Sequence, residues 1–226
     1  MGALILEDIQ YAYGSQQVLK GISQVFERGR VYAIMGPSGC GKTTLLSLLG
    51  GLDEPTAGVI KAEEGNIAAK GLAHYRKHQV AFVFQQFNLI DYLTGVENIQ
   101  LITQKSPFDM LEKVGLSREQ ASRSILHLSG GQQQRVAIAR ALMSEGAILL
   151  ADEPTGALDE ETAAGITSLL LKSAHQMNKC VIIVTHSPEL AQQADVVFRL
   201  RNGLLEEISL EQEPAVWNGR RVENEG

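Results

Sequence analysis

A buried-type run of five residues, Val31 to Met35, leads straight into GPSGCGKTT, Gly36 to Thr44. Few local patterns restrict a fold more. An apolar run of this length reads as a strand covered on both faces. The pattern G-x-x-x-x-G-K-[ST] is met by Gly36, Gly41, Lys42 and Thr43. It reads as a loop whose glycines let successive N–H groups curl toward one point. A helix over Lys42 to Leu49 follows, stopped by Gly50 and Gly51. Strand, glycine loop and helix in this order predict an α/β fold.

The loop also predicts a ligand. Backbone N–H groups and the positive end of the helix favour phosphate oxygens. Lys42 is placed to bridge the β- and γ-phosphates of a nucleoside triphosphate, and Thr43 to bind Mg²⁺. Ser38, Gly39, Cys40 and Thr44 complete the nucleotide-binding set. Cys40 reads either as a small filler or as an oxidation-sensitive thiol, since a helix N-terminus lowers thiol pKa. Tyr11 and Tyr13 share one strand face by the two-residue period. Either ring could stack on a purine. Tyr13, just before Gly14, is the better candidate, with core packing the alternative for Tyr11.

The rest of the chain alternates apolar runs with helical patterns, as a largely parallel sheet requires. Ala3 to Tyr13 and Val18 to Phe26 read as strands around a Gly14-Ser15 turn. Val80 to Phe84, Ile148 to Ala151 and Val181 to Thr185 read as further strands. Val96 to Leu126 reads as helical, broken at Pro107. A helix starts near Gly131, another spans Glu160 to His175, and Asn202-Gly203 marks a hairpin. At 226 residues, 44% of them hydrophobic, one large domain can build a sizeable core. The formal net charge of -6 argues against a general nucleic-acid binder. There is no run of 18 apolar residues, and the N-terminal segment does not resemble a secretory signal. Two unclustered cysteines, Cys40 and Cys180, suit a reducing cytoplasm.

A second constellation lies downstream. AILLADE, Ala147 to Glu153, is an apolar strand ending in two acids. Asp152 is expected in the Mg²⁺ shell, and Glu153 as the base that orients and deprotonates an attacking water. Neighbours on a strand face opposite sides, which would separate the two roles. Asp159, Glu160 and Glu161 read as caps of the next helix. His186, at the end of VIIVT, falls where ligands bind parallel sheets and could contact the γ-phosphate and the water. Gln85, after VAFVF, could reach Mg²⁺ or the water. His74, His78, His127 and His175 read as structural.

Taken in order, these motifs resemble the ABC ATPase, or nucleotide-binding domain, family. They are GPSGCGKTT, VFQQFNL with Gln85, LSGGQ from Leu128, LLADE, ALD at Ala157 to Asp159, and TH at His186. The resemblance runs from Tyr13 to the hairpin near Asn202. It implies a P-loop NTPase core with a mostly parallel sheet, an N-terminal antiparallel β subdomain and a helical signature subdomain over residues 88–135, all in one domain of residues 1–226. Residues 211–226 are expected to be a poorly ordered tail. It also implies two such domains packed head to tail, most simply a homodimer. Ser129, Gly130, Gly131 and Gln132 of one would then clamp the γ-phosphate held by the other, with Asp159 as the D-loop residue. ATP and Mg²⁺ are the implied substrate and cofactor. VFQQFNLIDYLTGVENI, LSGGQQQRVAIARALM and LLADEPTGALD are similar to the macrolide-exporter, lipoprotein-release and bacteriocin-export ATPases. That group works from the cytoplasmic face on a separate integral-membrane permease, exporting or conferring resistance to peptides, antibiotics or lipid-like cargo. The alternative is a non-transport ABC ATPase, of the cell-division or cluster-assembly type. The chain departs from the group between Glu97 and Leu128, where it is shorter.

Overall fold

The computed structural model describes residues 2–209. The chain forms two sheets. In the first, β1 (Gly2–Tyr13) and β2 (Gln16–Glu27) make an antiparallel pair turned at Gly14 and Ser15. β3 (Val31–Met35) belongs to the second sheet, while β4 (Ala57–Ala62) and the two-residue β5 (Gly65–Asn66) extend the first, in the order β2-β1-β4-β5. The second sheet is completed by β6 (Val80–Val83), β7 (Ile148–Asp152), β8 (Cys180–Val184), β9 (Val196–Arg201) and β10 (Leu204–Ile208). Its order is β10-β9-β3-β8-β7-β6, parallel except for β10, which pairs antiparallel through the Asn202-Gly203 hairpin.

Alternation along the central strands divides the core. Tyr32 and Ile34 of β3, Ile148 and Leu150 of β7, and Cys180, Ile182 and Val184 of β8 join one apolar cluster with the first sheet and with α1 (Lys42–Leu49). Leu149 and Ala151, with Val181 and Ile183, face the opposite cluster. That cluster also takes in α6 (Gly130–Met143) and α7 (Glu160–His175). Every residue of β3, β7 and β8 is buried, as strands covered on both faces require.

The stretch expected to be helical from Val96 to Leu126 is instead a set of short pieces. α3 (Gly95–Gln100), α4 (Phe108–Lys113) and α5 (Arg118–Ala121) precede a 3₁₀ turn at Ile125–His127. Local stop signals cut them apart. Gly115, at φ 79°, ends α4, and Ser117 with Gln120 forms a capping box that starts α5. Pro107 sits at the N-cap of α4 rather than inside a helix. Two further helices, α2 (Leu72–His78) and α8 (Pro188–Ala191), complete the described chain, and neither was expected from the sequence. The tail expected from Glu211 lies outside the described residues. Among the described residues, no helix is long and apolar enough to cross a membrane.

Candidate functional site

The carboxyl ends of three neighbouring parallel strands bring the sequence-predicted residues together. Ile34 of β3 and Asp152 of β7 both register against Val184 of β8. The loop after β3, the acids of β7 and the histidine after β8 therefore share one edge, where open parallel sheets bind ligands.

The loop turns because its glycines permit it. A Cβ at Gly36 would come within 2.4 Å of the Leu200 carbonyl oxygen. Gly41 occupies the left-handed region at φ 105° and is the N-cap of α1, with no side-chain cap bond. The first turn of α1 thus carries free N–H donors and no acid, an arrangement suited to an anion. Lys42 is 7% exposed, and its Nζ donates to the carbonyls of Gly36 (2.8 Å) and Pro37 (3.0 Å). The ammonium already points across the loop. Tyr13 lines a cleft of about 250 Å³ with Gly39, Gly41, Lys42, Thr43 and Thr44. Tyr13 is 59% exposed, whereas Tyr11 is buried and donates its hydroxyl to Asp53. The two rings meet edge to face at 5.0 Å, so the pair does share one strand face. A larger cavity, about 530 Å³, is elsewhere: Arg28, Ala147 and Lys179 place it at the amino ends of β3, β7 and β8. Volume alone is a poor guide to the chemistry here.

Thr43 Oγ1 donates to Asp152 Oδ2 at 3.0 Å. Two oxygen donors this close, at the mouth of a phosphate loop, fit Mg²⁺, which takes few protein ligands and completes its shell with water and phosphate oxygens. Burial pushes the Asp152 carboxyl up from its ordinary pKa, opposed by Thr43, Lys42 and His186. Glu153 is also raised, chiefly by burial. Its Oε2 accepts the backbone N–H of His186 at 3.2 Å. Its Oε1 is buried and has no hydrogen-bond partner among the described residues, although His186 Nε2 lies 3.5 Å away. A buried carboxylate oxygen with nothing bonded to it fits a site meant to hold water.

One expectation needs correction. Strand alternation does not separate the acids, because Glu153 has left the strand. Its φ of 49° is left-handed, and its N–H donates to the Val184 carbonyl at 2.9 Å. The turn, not the pleat, aims this side chain. His186 follows the carboxyl end of β8, which closes at Val184, as its place after VIIVT suggests.

Other residues are not gathered at this edge. Gln85 is exposed in the turn after β6, and its side chain makes no hydrogen bond among the described residues. Asp159 caps α7, accepting the Thr162 N–H at 2.9 Å. Ser129 and Gln132 form a capping box at the start of α6, in which Ser129 Oγ accepts the Gln132 N–H (3.3 Å) and Gln132 Oε1 the Ser129 N–H (2.9 Å). Gly131 packs against the Ala157 carbonyl, 3.2 Å from where a Cβ would stand. No bond joins Ser129–Gln132 to the phosphate loop of the same chain among the described residues. Sequence reasoning missed Gln134, which is 1% exposed and donates to the Pro154 carbonyl at 3.0 Å, just past Glu153. A polar residue on the buried face of an apolar helix was the available signal.

Known proteins are similar to this chain in sequence and fold. A family model described as ABC transporter matches residues 19–156. The uncharacterized ABC transporter ATP-binding protein YclH of Bacillus subtilis is 40% identical over 215 residues, 90% of this chain and 95% of that one. The lipoprotein-releasing system ATP-binding protein LolD of Legionella pneumophila is 42% identical, over 84% of this chain and 88% of its own. The macrolide export ATP-binding/permease protein MacB of Shigella sonnei is 40% identical over 88% of this chain, which spans 33% of MacB. Among solved structures, the dimeric bacterial ABC transporter cassette MJ0796 superposes with a TM-score of 0.84 at 36% identity, covering 92% of this chain and 98% of that one. The same cassette in a post-hydrolysis state with ADP and Pi gives 0.83 at 35% identity. With the phosphate loop, the two carboxylates and the signature helix all in place, the chain belongs to the ABC transporter family, as its ATP-hydrolysing cassette.

Proposed function

We propose that this cassette dimerises with a second copy around two ATP molecules and drives a separate integral-membrane permease from the cytoplasmic face. The observation that carries the catalytic reading is Glu153 Oε1, buried and unbonded beside the Thr43–Asp152 pair. Lys42 exchanges its bonds to the Gly36 and Pro37 carbonyls for the β- and γ-phosphates. Thr43 and Asp152 would hold Mg²⁺, with Gln85 as a further candidate ligand. That ion, when bound, offsets charge on the phosphates. Tyr13 stacks on adenine, and Ser38, Gly39, Cys40, Gly41 and Thr44 complete the cradle. Glu153 takes the proton from a water as its oxygen attacks the γ-phosphorus and the bond to the β-phosphate oxygen breaks, while His186 orients the water and the γ-phosphate. Ser129, Gly130, Gly131 and Gln132 of the partner close the site, with Asp159 at the boundary between the two cassettes. The dimeric form of the similar MJ0796 cassette supports the pairing.

Exposed apolar side chains support the permease reading. Tyr92 (79% exposed), Leu101 (57%) and Ile102 (46%) follow Gln85 in the chain and are left uncovered among the described residues. The likeness to LolD and MacB supports export of a lipid-like, peptide or antibiotic cargo.

Glu153→Gln tests the base. Steady-state turnover should fall by about 10²- to 10⁴-fold while ATP binding persists and an ATP-bound dimer accumulates on a sizing column. Ordinary turnover in this variant sinks the assignment. The wild-type protein should lose kcat as pH falls, because a base works only deprotonated and burial raises the pKa at which Glu153 takes up a proton. The Glu153→Gln residual rate should lack that acid limb.

A further inference from the structure

The turn that carries Gln85 is backbone-strained, and one side chain from a distant helix holds it. Phe87 and Asn88 are consecutive non-glycine residues in the left-handed region, at φ 62° and 47°. Such pairs persist only where the surroundings impose them. Internal bonds are few: the Phe87 N–H donates to the Phe84 carbonyl at 3.1 Å, and the Asn88 N–H to the Gln86 carbonyl at 2.7 Å. The outside constraint is Arg140, in the last turn of α6. Its Nη1 donates to the Asn88 carbonyl at 2.7 Å and its Nη2 to the Phe87 carbonyl at 3.1 Å. A planar fork that grips two successive carbonyls fixes the peptide between them as well as its position. Burial disfavours the guanidinium charge, and the two carbonyl oxygens offset that.

The same helix touches two other parts of the site. Its first residues follow the Ser129 cap, and Gln134 holds the Pro154 carbonyl beyond Glu153. We infer that Arg140 is a positioning residue for hydrolysis: it imposes the left-handed turn at Phe87 and Asn88 and so makes Gln85 move as one piece with α6. The inference rests on the role proposed above for Gln85. An arginine that served only as a surface brace would need neither the strained backbone nor the fork.

A four-member cycle tests it: wild type, Gln85→Ala, Arg140→Lys and the double variant, each measured for kcat and KM with MgATP and for ATP binding, well below the melting temperature. Lysine keeps the charge and loses the fork. Arg140→Lys should lower kcat about tenfold or more, with ATP affinity within about twofold, since a misplaced group costs rate rather than ground-state binding. The double variant should match the slower single variant. Asn88→Val, at an exposed position, disfavours the same turn without changing any residue of α6. It should repeat the kcat loss and the non-additivity, which guards against a folding defect in Arg140→Lys. An unchanged kcat in both Arg140→Lys and Asn88→Val overturns the inference, and so do losses that multiply with Gln85→Ala. If Gln85→Ala alone leaves kcat intact, the role of Gln85 falls first and the inference with it. A loss in that variant with a multiplicative cycle removes the inference alone.

Discussion

Two helices of this chain begin with glycine-rich signatures, and they treat their free N–H groups in opposite ways. α1 starts at a left-handed Gly41, with no side chain closing its first turn. α6 starts at Ser129 and closes on itself through the reciprocal bonds with Gln132. At the first, one chain alone brings Lys42, Thr43 and Asp152 to the terminus. The second leaves only the Gly130 and Gly131 N–H groups open, with no partner among the described residues. One terminus is preorganised for phosphate. The other is satisfied locally and, on the proposed pairing, meets its ligand only when a second molecule brings one.

The largest effect should come from the preorganised side. Lys42→Ala removes a buried cation that crosses the loop, and phosphate then meets dipoles alone. ATP affinity should fall by about 10²-fold or more, consistent with a charge-assisted bond worth roughly 1.5–3 kcal/mol at each contact, and turnover with it. Direct titration of a fluorescent ATP analogue reads this. Retained affinity would mean that the backbone cradle, not Lys42, carries binding.

Next comes the conditional side. Ser129→Arg puts a long cation at the start of α6, where the partner's phosphate is expected. Turnover should drop at least about 10²-fold while the monomer binds ATP as before, because the loss is confined to closure of the pair. Weakened binding by the monomer would show that the signature acts within its own chain, and the contrast between the helices would collapse.

How much of this was legible follows the same divide. β3 and α1 fall at the expected boundaries because a saturated apolar run, a glycine loop and the Gly50-Gly51 stop are all local. α7 likewise runs from Glu160 to His175, as the Asp159 cap and the apolar spacing indicated. Residues 96–126 were misread as long helices because pieces of four to six residues are too short to display a period of 3.6. Gly115 and the Ser117–Gln120 box were the signals that cut them. At the candidate site, the sequence named residues that the fold brings to one sheet edge, but not their aim. Glu153 is directed by a left-handed turn that no period predicts. Arg140 finds the Phe87 and Asn88 carbonyls across more than fifty residues of chain, a contact only the tertiary fold creates.

The smallest effect offers the sharpest test of the comparison. Gln132→Ala removes one half of the α6 capping box and leaves the Ser129 N–H without its acceptor. A lost capping interaction costs about 0.5–1 kcal/mol. For a domain of this size that is a fall in Tm of roughly 2 °C in the ATP-free protein. In the Glu153→Gln background with saturating ATP, the partner's phosphate should take up the freed donors at this terminus. The fall should then shrink toward zero. Melting curves of four samples, with and without Gln132→Ala and with and without ATP, resolve the difference. An equal fall in both states would mean that phosphate never reaches the start of α6, and that Ser129 and Gln132 do no more than cap their own helix.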